Sequence, residues 1–287
     1  MHPWRELLIG AYQTFHVTAE GMRDEFPELV PYEASKRAAE IQGSVAWWWA
    51  AESEIRETIN SANSWATQLG QWRVWQRVLA SYSEDDQWEI EHHLVFTLAS
   101  FCMFQPSAFA ERLLEVTENV LHQANRSLYP DEKDSLDQDN LKPGQLFRLA
   151  MRRKQVDRLG ARWTKYRAFR DLWIQLDGKD YRRLSKNFRN LSAHSIAPRL
   201  GFGETARAIR SIVPRSDLVR QDDGSYLEVE HPTLKSVQYA MAIVTPLPLE
   251  QAYAGNRREY DLARRTMEAF SDLLDELVRA TEAGLPG

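Results

Sequence analysis

"YRRLSKNFRNLSAH", residues 181–194, decides how the chain is read. On a helix, at about 100° per residue, Tyr181, Leu184, Phe188 and Leu191 fall into one apolar stripe, the face a helix gives to a core. Opposite them lie Arg182, Lys186 and Arg189. Arg183, Asn187, Asn190 and His194 fill the adjoining flank, so basic groups and a histidine share one outward surface. Pro198 disfavours further helix, which places His194 at or near a helix C-terminus, where the open last turn leaves it exposed. The spacing predicts one helix over 179–194 with a chemically equipped outer face.

Most of the remaining chain carries the same helical period, with prolines at element edges and few internal glycines. Helices are expected near 33–59, 62–81, 84–103, 107–127, 145–176, 204–213, 233–245 and 256–282. Ser83 before Glu84, Asp85 and Asp86 is an N-cap followed by first-turn acids. Asp223-Gly224, inside "LVRQDDGSYLEVE" (218–230), supplies the positive-φ turn of a hairpin. The acidic, proline-punctuated stretch 128–144 reads as a loop, giving a sub-boundary at 129–143. The expected architecture is all-α: one mainly helical domain over 1–287, a helical bundle with a small β-hairpin after the motif helix.

Composition narrows the classes. Hydrophobic residues make up 43% of the chain and ten are tryptophans, which argues for an ordered core. Cys102 is the single cysteine, so an internal disulfide and a cysteine-based zinc site within one chain are excluded. The longest nearly apolar run, "LVFTLASFCMF" at 94–104, is shorter than the roughly 20 residues that span a bilayer, and the N-terminus lacks a signal-peptide pattern. A cytoplasmic protein with no membrane partner is the expectation. The net charge is −5, yet from Lys142 to Arg220 there are 20 Lys plus Arg against 6 Asp plus Glu. That +14 segment on an acidic body is the footprint of a polyanion-binding surface, or else of basic helices that pair with the acidic half.

"RNLSAH", Arg189 to His194, resembles the signature of the HEPN (higher eukaryotes and prokaryotes nucleotide-binding) superfamily: an arginine, a polar residue, a few variable residues and a histidine on a late helix of an all-α bundle. The resemblance is confined to this helix and its setting. It implies a metal-independent endoribonuclease without cofactor, in which two protomers bring their arginine and histidine into one composite cleft. Arg189, Asn190 and His194 would be the catalytic set, with RNA as substrate and a homodimer as the working form. A toxin or defence role, with an antitoxin or regulatory partner, is implied by family habit. The residue types suit the chemistry: histidine, with an ordinary pKa of about 6.5, can take or give a proton near neutrality. Arginine offers a planar fork to phosphoryl oxygens. Arg182, Arg183 and Lys186 would hold the RNA backbone. Arg189 and His194 lie about 140° apart on an ideal helix, which pairing across a two-fold axis would remedy. The alternative is a non-catalytic helical module that binds nucleic acid, a nucleotide or a protein.

Three other patterns are less specific. Asp86, Glu89 and His93 share one side of a helix and could serve a metal. Trp47, Trp48 and Trp49 with Trp65, Trp72 and Trp75 could stack on bases, but read more readily as core. "GFGETA" (201–206) formally fits a dinucleotide-binding pattern, but no βαβ unit surrounds it; its glycines and Glu204 could instead start a short helix beside His194.

Overall fold

The computed structural model describes residues 3–40, 45–129 and 131–284. Helices α1 (Pro3–Gly21), α2 (Glu33–Ala38) and α3 (Val45–Leu79) lead to α4 (Glu84–Ile90). This last runs through a π-helical turn, Glu91–Val95, into α5 (Phe96–Leu128). Then come α6 (Leu149–Gly160), α7 (Tyr166–Trp173), α8 (Lys179–Leu184) and α9 (Phe188–His194). The strands β1 (Thr205–Arg220) and β2 (Tyr226–Val244) form an antiparallel pair, and α10 (Leu249–Ala283) closes the chain.

Three long helices, α3, α5 and α10, pack on one another and carry the core; α6 lies on α5, and α7 and α8 lie on α10. Trp65, Trp72, Phe109, Tyr260 and Phe270 are fully buried among them. Trp65, Trp72 and Trp75 are therefore core, whereas Trp49 is exposed and the Trp47 and Trp48 side chains lie outside the described residues. The helix Glu84–Leu128 is long and apolar enough to cross a membrane, but 56% of its apolar window is buried inside the fold, as in a core helix.

The bundle and the Asp-Gly turn were expected; several boundaries were not. Residues 45–79 form one helix across the break placed at 59–62, and α4 to α5 run on through Pro106. The 145–176 helix is divided by a turn at 161–165. Segments 204–213 and 233–245, expected as helices, are strands. In both, the β-branched residues Ile209, Ile212, Val213, Val237, Ile243 and Val244 favour the pleated backbone, and the Asp223-Gly224 turn, with Gly224 at φ +85°, sets their register. Asp223 Oδ1 accepts from the Ser225 amide and hydroxyl at 2.9 and 2.6 Å, fixing that turn.

The hairpin follows the motif helix as expected, with longer arms than the turn alone announced. At about 3.3 Å per residue, β1 extends for about 50 Å. Ala206·Ile243, Ala208·Met241, Arg210·Tyr239 and Ile212·Val237 face each other on one side, a face that apart from Arg210 is mostly apolar and that the single chain leaves exposed. The root is clamped: Leu200 bridges to Leu247, Leu247 N–H donates to the Arg199 carbonyl at 2.8 Å, and Gly201 N–H donates to the Leu247 carbonyl at 2.9 Å.

The polar stretch after α5 is held against the bundle. Gln155 and Gln138 both donate to buried Glu118, at 2.6 and 3.3 Å, and the Asp137 amide donates to Gln155.

Candidate functional site

The segment expected as one helix is two. Lys186 and Asn187 have left-handed backbones, φ +50° and +56°, and the turn they make separates α8 from α9. Asparagine tolerates that region; lysine is strained there by about 1 kcal/mol or more. The lysine is held by its own side chain, whose Nζ donates to the Thr245 carbonyl and hydroxyl, both at 2.9 Å, and to the Pro246 carbonyl at 3.1 Å. The cation that was expected to grip RNA thus ties the motif turn to the root of the hairpin.

The apolar stripe survives the break. Tyr181 and Phe188 are buried, Phe188 edge-on to Phe104, and Leu184 and Leu191 are half-buried. Leu184 also fills the space over Gly255 of α10. On the outer side, Asn190 and His194 are exposed, and among the described residues neither side chain makes a hydrogen bond within the chain. No hydrogen bond joins Asn190 to His194. Arg189 and His194 both lie on α9.

The arginines have partners. Arg189 Nη2 is 3.4 Å from Glu111 Oε1, the same oxygen that accepts from Ser107 Oγ at 3.1 Å. Arg182 bonds Asp177 Oδ2 at 2.8 Å, an interaction that raises its pKa above the ordinary arginine value. Asp177, itself left-handed, has its amide bound to Glu259 Oε2 at 2.8 Å. Burial pushes Glu259 up to about 7. Arg183 is the most exposed of the set, 3.7 Å from Asp180 on its own helix. Further along the basic segment, Arg152 pairs with Glu115 and Glu118, Arg158 with Asp137 and Arg162 with Glu132. With Arg189, four basic residues of the positive segment therefore meet acids of the preceding half. Apart from Arg152 with buried Glu118, these are surface pairs, worth at most about 1 kcal/mol and able to exchange for phosphate.

Two expectations fall away. Asp86 is engaged by Ser83, His93 lies 3.4 Å from Glu89, and among the described residues no group of three or more His, Cys, Asp or Glu could hold a metal ion. The glycines of "GFGETA" start no helix; the loop leads straight into β1.

That loop builds a second site which sequence reasoning missed. Glu91, in the π-helical turn, is 5% exposed and touches the loop so closely that a Cβ on Gly201 (φ +73°) would lie 1.5 Å from its Oε1. Burial pushes the Glu91 carboxyl up to about 7, and a hydrogen bond from the Phe202 amide works against that rise. Around it Trp88, His92, Phe96, Arg199, Leu200 and Phe202 line a cavity of about 260 Å³. Trp88 and His92 stack in parallel, centroids 5.4 Å apart. The signal in sequence was the i, i+4 pair Trp88/His92 beside an acid; the extra residue of a π-turn, which re-aims Glu91, leaves no sequence mark.

Compared with family models, with curated proteins and with solved structures, the chain matches none.

Proposed function

We propose that the chain is a metal-independent endoribonuclease of HEPN type, acting as a homodimer whose two α9 helices meet over one RNA phosphodiester. The observation that carries this reading is that α9 holds Arg189 half-buried and His194 exposed at the surface of a helical bundle. One imidazole takes the proton of the RNA 2′-OH as its oxygen attacks phosphorus. The partner's imidazole gives a proton to the departing 5′-oxygen, leaving a 2′,3′-cyclic phosphate and a 5′-hydroxyl. Arg189 stabilises the charge that builds on the phosphoryl oxygens. The uncovered apolar side of the hairpin is area for a second copy to cover. A cytoplasmic toxin or defence effector, restrained by an antitoxin or regulatory protein, is the role this reading carries with it.

One observation favours a second reading, a non-catalytic nucleic-acid-binding or protein-interaction module: Arg182, Lys186 and Arg189 each have an acceptor within the chain. The two readings part on one experiment, RNA incubated with the protein in excess EDTA beside Arg189→Ala and His194→Ala. Cleavage by the parent that both substitutions abolish supports the nuclease. Binding without cleavage, weakened stepwise as basic residues are removed, supports the module.

A further inference from the structure

The cavity over Glu91 lies outside the motif helix and rests on no reading of it. Its floor is a carboxyl group, 5% exposed, that forms no ion pair among the described residues. Its walls are the rings of Trp88, His92, Phe96 and Phe202, of which Trp88, Phe96 and Phe202 stay 46, 41 and 39% exposed. Large aromatic rings left open around a buried acid are costly as packing, but they are the surroundings that stabilise an organic cation. The negative faces of the rings attract such a cation, and a carboxylate at the base adds direct charge neutralisation. Arg199 also lines the cavity, which disfavours a simple dication and suits a ligand with an anionic end.

The floor is also built for position. The π-helical turn aims Glu91 out of the α4–α5 line, and Gly201 lets the loop backbone close against it where any side chain would collide. The strand root clamps that loop on its other side through Leu247. The cavity, at about 260 Å³, suits a molecule of amino-acid size.

We infer that this cavity binds a small zwitterion, its ammonium group over Glu91 among the aromatic rings and its carboxylate or phosphate against Arg199. Calorimetric titration of the full chain with glycine betaine, phosphocholine and tetramethylammonium tests it. The zwitterions bind, and Glu91→Gln, which retains an acceptor for the Phe202 amide, weakens them about tenfold or more. Trp88→Ala, a change at an exposed ring, weakens all three probes about threefold or more. Arg199→Ala weakens the zwitterions while leaving tetramethylammonium unchanged, and whichever zwitterion loses more identifies the anionic end. Thermal unfolding of each variant confirms that it is folded. The inference is overturned if no probe binds at millimolar concentration, if folded Glu91→Gln binds as the parent does, or if guanosine, a neutral flat ring, binds where the ammonium probes do not.

Discussion

The Asn256 side-chain amide donates to the Cys102 carbonyl at 2.8 Å, in the place that Pro106 leaves empty. A residue at 106 with an N–H would satisfy that carbonyl four residues back; proline cannot, and α5 nevertheless continues because α10 supplies the missing donor. The same amide donates to the Tyr181 hydroxyl at 2.8 Å and its oxygen accepts from Trp65 Nε1 at 2.7 Å, so one fully buried side chain joins α3, α5, α8 and α10. Asn256→Leu leaves the Cys102 carbonyl and Trp65 Nε1 unpaired, the Tyr181 hydroxyl keeping only Met103 Sδ, and is expected to cost about 2–3 kcal/mol in urea unfolding. Adding Pro106→Ala restores a donor to Cys102, so the double variant should recover about 1 kcal/mol of that loss.

How far the sequence could be read follows from which forces were local. Trp65, Trp72 and the α10 stripe lie on helical periods, so burial of those faces was visible in the spacing alone. The α8–α9 break was not, because its left-handed residues are Lys186 and Asn187 where glycine would have announced a turn, and what holds them is a contact with Thr245 and Pro246 some 60 residues away. The strands were misread as helices because Ala206, Ala208, Ala240 and Ala242 lend their segments helical propensity, which cross-strand pairing overrides. The exposure of His194 followed from Pro198 and a helix end. The partners of Arg189 and Arg182, being tertiary, did not.

Lys186 separates structural from RNA-binding duty. Lys186→Ala removes three hydrogen bonds at the hairpin root and keeps a strained backbone, so amide exchange across 205–244 should quicken and stability fall by about 1–2 kcal/mol. RNA affinity should change less than in Arg183→Ala, whose guanidinium is far more exposed. Parallel exchange and binding measurements on the two variants check this ordering.

Glu111 holds Arg189, and on the nuclease reading it would compete with phosphate for that guanidinium. Glu111→Gln should therefore raise RNA affinity about two- to fivefold and steepen its salt dependence by about one counterion. On the nuclease reading Arg189→Ala and His194→Ala lower the cleavage rate by about 10²–10⁴. An Arg189→Ala change that weakens binding without touching a measurable rate would speak for the module.

The exposed hairpin face predicts assembly. Met241 and Ile212, 75 and 63% exposed, sit at the centre of its apolar side. If a second copy covers them, Met241→Glu and Ile212→Glu shift a sedimenting dimer to monomer without lowering thermal stability of the bundle, and cleavage falls with dimer content. A monomeric parent would remove the two-fold site.

Glu91 gives the fold a pH dependence whose sign is fixed by the direction of its shift. The carboxyl titrates near 4.5 when unfolded and is pushed up to about 7 by burial in the fold. Between those values the folded chain binds the extra proton, so stability is fully present below about pH 4.5 and declines as pH rises toward 7. The loss from this one group reaches about 3 kcal/mol. Glu259, shifted in the same direction by burial, adds a parallel decline. Glu91→Gln is neutral throughout, so the difference in unfolding free energy between variant and parent should move in the variant's favour from pH 5 to about pH 7 and then level. A zwitterion seated over the carboxylate would hold it charged, and the parent measured with saturating glycine betaine should lose most of that decline.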